Sequence, residues 1–145
     1  MEEQHDHYIP EKYQLGIITD YLQSHDFEFA TEKRIFSYPI DVLAVKRGTT
    51  VAIEMKSKNV TRGVEQAHRD ASLVDYAFLA VWEHNISEPL IERVSDLPIG
   101  LMSVGDRIHV LSGPIVEPQQ LCDREIVIDL VINEVRNDAP VQKPQ

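Results

Sequence analysis

Tyr38-Pro39-Ile40-Asp41-Val42-Leu43-Ala44-Val45-Lys46-Arg47-Gly48-Thr49-Thr50-Val51-Ala52-Ile53-Glu54-Met55-Lys56 is the stretch on which the reading of this chain turns. Two runs of β-branched and apolar residues flank Arg47-Gly48, so the segment reads as a β-hairpin. A turn centred between Arg47 and Gly48 pairs Val45 with Thr50, Leu43 with Ala52 and Asp41 with Glu54. Side chains alternate along a strand. Ile40, Val42 and Ala44 are therefore expected on one side, and Asp41, Leu43 and Val45 on the other. Across the turn, Val51, Ile53 and Met55 share one face; Ala52, Glu54 and Lys56 share the opposite one. Like charges placed directly across a sheet destabilise it. A divalent cation gives the Asp41–Glu54 pair a reason to exist, because Mg²⁺ takes oxygen ligands and keeps several waters. Lys56 on the same face can hold or deprotonate a water, or stabilise charge on a phosphate. A structural cluster of charges on a half-exposed sheet is the plainer reading of the same spacing.

Outward from the hairpin, the chain reads as α/β, a mixed central sheet flanked by helices. Leu15, Ile18, Tyr21 and Leu22 recur at helical spacing and predict a helix over about 11–24, entered at Pro10. Phe27 to Glu32 alternates as a strand, and Ile35 to Tyr38 leads into the hairpin. Residues 59–73 predict a second helix with Val60, Val64, Ala67, Ala71 and Val74 as its apolar stripe. Arg62, Gln66 and Arg69 line another face of it. The nearly continuous apolar run at 75–82 predicts a strand covered on both sides, reached by a βαβ crossover. That makes Tyr76 and Trp82 core residues. A short helix at about 88–95, strands at 101–104 and 107–111 around Gly105-Asp106, and an amphipathic helix at 123–136 complete the pattern. The expected organisation is a flexible end at 1–9, a domain at 10–112, a linker and helix at 113–136, and a disordered tail at 137–145.

The chain of 145 residues has a net charge of −10, which argues against a general polyanion binder. Residues 33–69 nevertheless carry eight basic residues against three acids, between two acidic flanks. This basic island marks a candidate phosphate-facing surface, with Arg34, Lys58, Arg62 and Arg69 as candidate nucleic-acid contacts. A homodimer pooling two islands would offset the acidic total, and the flanks offer a surface to a protein partner. One cysteine, Cys122, excludes an internal disulfide framework. The acidic start lacks the regions of a signal peptide, and no apolar run is long enough to span a bilayer. A cytoplasmic protein with no membrane partner is expected. His5 and His7 lack the companions a structural metal site wants. His84 and His109 have no ligand spacing either; His68 follows Gln66 toward the candidate site, with a surface histidine as the plainer reading.

Pro39-Ile40-Asp41, the hairpin, Glu54-Met55-Lys56 and the helix carrying Gln66 resemble the PD-(D/E)xK nuclease superfamily over about residues 11–82. The resemblance implies a restriction-endonuclease-like αβββαβ core and a Mg²⁺-dependent endonuclease acting on DNA, with Mn²⁺ as a substitute ion. It implies Asp41, Glu54 and the backbone carbonyl of Met55 as metal ligands and Lys56 as the group that orients or activates water. Gln66 and Arg62 would contact phosphate or position Lys56. Glu11 is the candidate acid from the first helix, at a spacing that resembles archaeal Holliday junction resolvases. A structure-specific role in DNA repair, recombination or restriction follows from that likeness. The alternative is a non-catalytic nucleic-acid or protein-binding module that keeps the nuclease fold.

Overall fold

The computed structural model describes residues 10–138. The expectations for 1–9, including His5 and His7, and for 139–145 lie outside the described residues. The elements run α1 (Glu11–Ser24), β1 (Glu28–Ile35), β2 (Tyr38–Lys46), β3 (Thr49–Lys56), α2 (Val60–Asp70), β4 (Tyr76–Trp82), a single 3₁₀ turn, α3 (Glu88–Ser95), β5 (Ile99–Val104), β6 (Ile108–Ser112) and α4 (Arg124–Asp138). The first six follow the expected αβββαβ order. All six strands form one mixed sheet in sequence order. β3, β4 and β5 are parallel neighbours, while the pairs at each end of the sheet are antiparallel.

The central hairpin has the expected register, with Leu43 opposite Ala52 and Val45 opposite Thr50. Its turn explains why. Arg47 (φ 53°) and Gly48 (φ 80°) both have positive φ, the backbone of a two-residue turn whose twist matches the flanking strands. One slipped residue would turn the buried set outward, so an apolar face on each side of β3 pins the pairing.

Alternation breaks at one place. Val42 and Ala44 pack with Ile18 and Leu22 of α1, but Ile40 joins Leu43 and Val45 in the cluster on the other face. The expectation that Ile40 shares a side with Val42 and Ala44 is corrected accordingly. Opposite this point, Glu32 of β1 has φ 55°. Ala30 and Ile35, which strict alternation would separate, both lie in the second cluster. The left-handed residue thus reverses the faces on both strands while the pairing register is kept. The reversal falls at Asp41, and such irregularities re-aim side chains next to functional sites.

Helix α1 covers one face of the sheet. Helices α2, α3 and α4 cover the other, through Val64 and Ala67, Leu90 and Val94, and Val127 and Val131. The last helix thus packs on the main core through Val127 and Val131. β5 and the parallel β4–β5 pairing extend the sheet past the expected core, with α3 as a second crossover. No helix among the described residues is long and apolar enough to cross a membrane.

Candidate metal and phosphate site

Strand β3 carries Ala52, Glu54 and Lys56 on the α2 face of the sheet. Glu54 is only 2% exposed. A carboxylate in such a place loses its hydration and must find compensation. Asp41, half-buried at the kink of β2, accepts a hydrogen bond from the Met55 N–H at 2.8 Å. This ties the end of β2 to β3 just beyond the last ladder pair, Val42–Ile53. It also engages one oxygen of the Asp41 carboxylate and leaves the other.

The structure brings in a carboxylate that sequence reasoning missed. Asp70, at the end of α2, is fully buried beside Glu54. Arg69 binds both. Its Nη2 donates to Asp70 Oδ1 at 2.8 Å and to the Pro39 carbonyl at 2.9 Å, and reaches Glu54 Oε2 at 3.4 Å; Nε donates to Asp70 Oδ1 at 3.0 Å. The guanidinium also lies over the Tyr38 ring, 4.9 Å from its centre. Arg69, expected to face an outside phosphate, is thus turned into the protein, because buried carboxylates need its charge more than solvent does. A signal for Asp70 existed. It follows Gln66 by four residues on one helical face, and an acid in the last turn opposes the helix dipole.

The electrostatics reflect this crowding. Burial is the main cause pushing the Glu54 carboxyl up to about 11, with its hydrogen bond to Asp70 and the charges of Asp70 and Asp41 adding to it; Arg69 opposes the rise. Burial raises Asp70 as well, against its hydrogen bond to Glu54 and the charge of Arg69. Glu54 and Asp70 are best seen as a pair holding one proton between them.

Lys56 is half-buried, and its side chain runs beneath α2 at Gly63. A Cβ on Gly63 would stand 2.5 Å from Lys56 Cγ and 2.8 Å from Leu79 Cδ1. Gly63 is the second missed residue: it gives Lys56 its passage between helix and sheet. Lys56 makes no ion pair or side-chain hydrogen bond among the described residues. One turn on from Gly63, the Gln66 Oε1 is buried and accepts no hydrogen bond.

The remaining candidates lie around this cluster or away from it. Arg62 and Lys58 are exposed on α2 and just before it. Arg34 is exposed at the end of β1 and donates to the Ser37 carbonyl at 2.9 Å. Glu11 is exposed in the first turn of α1, on the opposite side of the sheet. Tyr13 packs edge-on to Trp82 at 6.2 Å, so Glu11 lies toward the same end of the sheet. The groups acting on Glu54 are nevertheless Asp70, Asp41 and Arg69, without Glu11. An acid in a first helical turn has a local reason in the helix dipole.

Among the described residues no three Asp, Glu, His or Cys side chains are arranged to hold a metal ion. A hard cation would have the two carboxylates Asp41 and Glu54 to bind, with backbone carbonyl and water completing the set. Mg²⁺ commonly takes that form. Burial, which raises the Glu54 carboxyl, is a cost that a bound cation would offset.

No protein-family model matches the chain, and no curated protein matches it. Among solved structures, a protein of unknown function from Silicibacter pomeroyi is similar, with a TM-score of 0.66 and 15% identity over 94% of this chain and 90% of that one. At that identity the likeness is one of fold alone.

Proposed function

We propose that the chain is a Mg²⁺-dependent endonuclease of the PD-(D/E)xK type acting on DNA. The observation that carries this reading is Glu54: a carboxyl buried in the core beside Asp41 and Asp70, two residues from a lysine without a partner among the described residues. Asp41, Glu54 and the Met55 carbonyl are the groups that would hold the cation. When bound, it would supply charge to stabilise a phosphodiester's developing negative charge and lower the pKa of a water.

The chain's own residues have separable tasks. The hydrogen bond from Met55 N–H aims Asp41 toward the end of β3. Gly63 lets the stem of Lys56 pass under α2, and from there its ammonium can orient a water or meet a phosphate oxygen. Gln66 presents an unengaged acceptor that can hold the lysine or a water. Arg62 and Lys58 add positive charge on the solvent side, where phosphate neutralisation gives affinity.

Arg69 favours a second reading. Its guanidinium already partly offsets Glu54 and Asp70, as a cation would. That suits a module that binds nucleic acid or protein without turnover. Cleavage of plasmid and junction DNA in Mg²⁺ or Mn²⁺ separates the two. The nuclease reading expects cleavage by wild type and its loss in Lys56→Ala. Equal cleavage by both proteins, or none with any substrate, counts against it.

A further inference from the structure

A second site lies on the other face of the sheet, beyond the C-terminal end of α1. Phe27, Val51, Tyr76 and Phe78 line an open groove of about 440 Å³, closed on one side by Pro114. This is within the range of small-molecule sites. Gly100 shapes its floor: a Cβ there would stand 2.6 Å from the Phe78 ring, so that ring settles against bare backbone. The rim is cationic. Lys46 lies over the Phe27 ring at 5.4 Å, and Arg47 is exposed at the tip of the β2–β3 turn. Among the described residues, neither forms an ion pair or a side-chain hydrogen bond. In a chain of net charge −10, two adjacent unpaired cations above an aromatic floor form an uncommon local charge. They complement an anion attached to a flat apolar body.

We propose that this groove binds a nucleoside phosphate, with its base against the rings of Tyr76 and Phe78 and its phosphate at Lys46 and Arg47. Three of the lining residues are aromatic, and an open, shallow groove suits a ring that keeps one face toward solvent; an acyl chain favours an enclosed tube. Stacking of bases on aromatic side chains tolerates any sequence. The groove's β3 residues, Val51 and Thr49, lie about 10–17 Å along the strand from Glu54 at its rise per residue, and on the opposite face. The groove therefore does not depend on the nuclease reading. The phosphate can belong to a free mononucleotide or to a nucleotide of a single strand.

The test uses the full chain in EDTA, with dTMP and fluorescein-labelled dT10 as probes. Amide chemical shifts report the location, and anisotropy reports the affinity for the oligonucleotide. The expected shifts lie at Lys46, Arg47, Tyr76 and Phe78. If dTMP produces them the ligand is a mononucleotide; if only dT10 does, it is a single strand. Tyr76→Ala should weaken binding about tenfold, within the range of base–aromatic contacts. Lys46→Gln with Arg47→Asn should do likewise and flatten the salt dependence. Asparagine tolerates the positive φ at 47, so the turn survives. Lys56→Ala should bind as wild type. Shifts confined to other surfaces, unchanged affinity in the double variant, or binding of decanoate but of neither nucleotide probe would overturn the proposal.

Discussion

Buried carboxylates stand at both ends of strand β3, and the two ends are treated in opposite ways. At the start of the strand, Asp75 accepts from the Thr50 N–H at 2.9 Å, the Thr50 hydroxyl at 3.2 Å, and Arg124 Nε and Nη2 at 2.9 and 2.6 Å. The hydrogen bond from Arg124 is the chief cause holding its carboxyl below the ordinary range. At the other end, Glu54 and Asp70 share Arg69, and their carboxyls are pushed up. The first site is saturated with donors and ties α4 and β4 to the hairpin. The second is short of positive charge in a chain able to supply it elsewhere. A buried polar group with too few partners destabilises a fold unless something else uses it.

The largest effect should come from the second site. Lys56→Ala should lower Mg²⁺-supported cleavage by about 10²–10⁴-fold, the usual scale for removing a group that handles a proton. Its melting temperature should change little. Gly63→Ala should follow. The added methyl meets Lys56 and Leu79, so both cleavage and stability should drop, the latter by about 1–3 kcal/mol as for overpacking. Urea unfolding and a cleavage assay read the two losses together; a variant as stable and active as wild type would remove Gly63 from the account.

Smaller effects sharpen the contrast. Asp75→Ala leaves the buried N–H and hydroxyl of Thr50 without an acceptor and should cost about 1–3 kcal/mol, with cleavage per folded molecule unchanged. Glu54→Gln, measured in EDTA at pH 7, should be neutral or stabilising, because a neutral amide replaces a carboxyl whose charged form burial disfavours. A large destabilisation by Glu54→Gln would make the two sites alike and end the comparison. The pH dependence has a definite sign at Asp75. Its folded value lies below the ordinary aspartate value of about 3.9, so its contribution is present above that pH. It is lost as the pH falls further, through the folded value. The stability gap between wild type and Asp75→Ala should therefore narrow in acid below about pH 4.

Much of the fold was legible because local signals agreed with one another. Arg47-Gly48 fixed the register by turn geometry, and the spacing of Leu15, Ile18 and Leu22 located α1 at 11–24, as found. Asp41, Glu54 and Lys56 came from strand alternation alone, although Asp41 sits where alternation breaks. That break depends on Glu32 in a neighbouring strand adopting positive φ, which no periodicity announces. Arg69 was illegible, and Asp70 only faintly signalled, for a related reason. Their roles arise only when the last turn of α2 meets the end of β3, so a residue read as surface becomes a buried partner. Glu11 differs again: chain spacing suggested a meeting, and α1 carries it on the other face of the sheet, toward the same end.

Occupancy by Mn²⁺ tests the central claim most directly. Crystals soaked in MnCl₂ and measured for anomalous scattering should show an ion between the Asp41 and Glu54 carboxylates, and none in Glu54→Gln. Crystals that bind Mn²⁺ only elsewhere, with Arg69 still resting on Glu54 and Asp70, would contradict it.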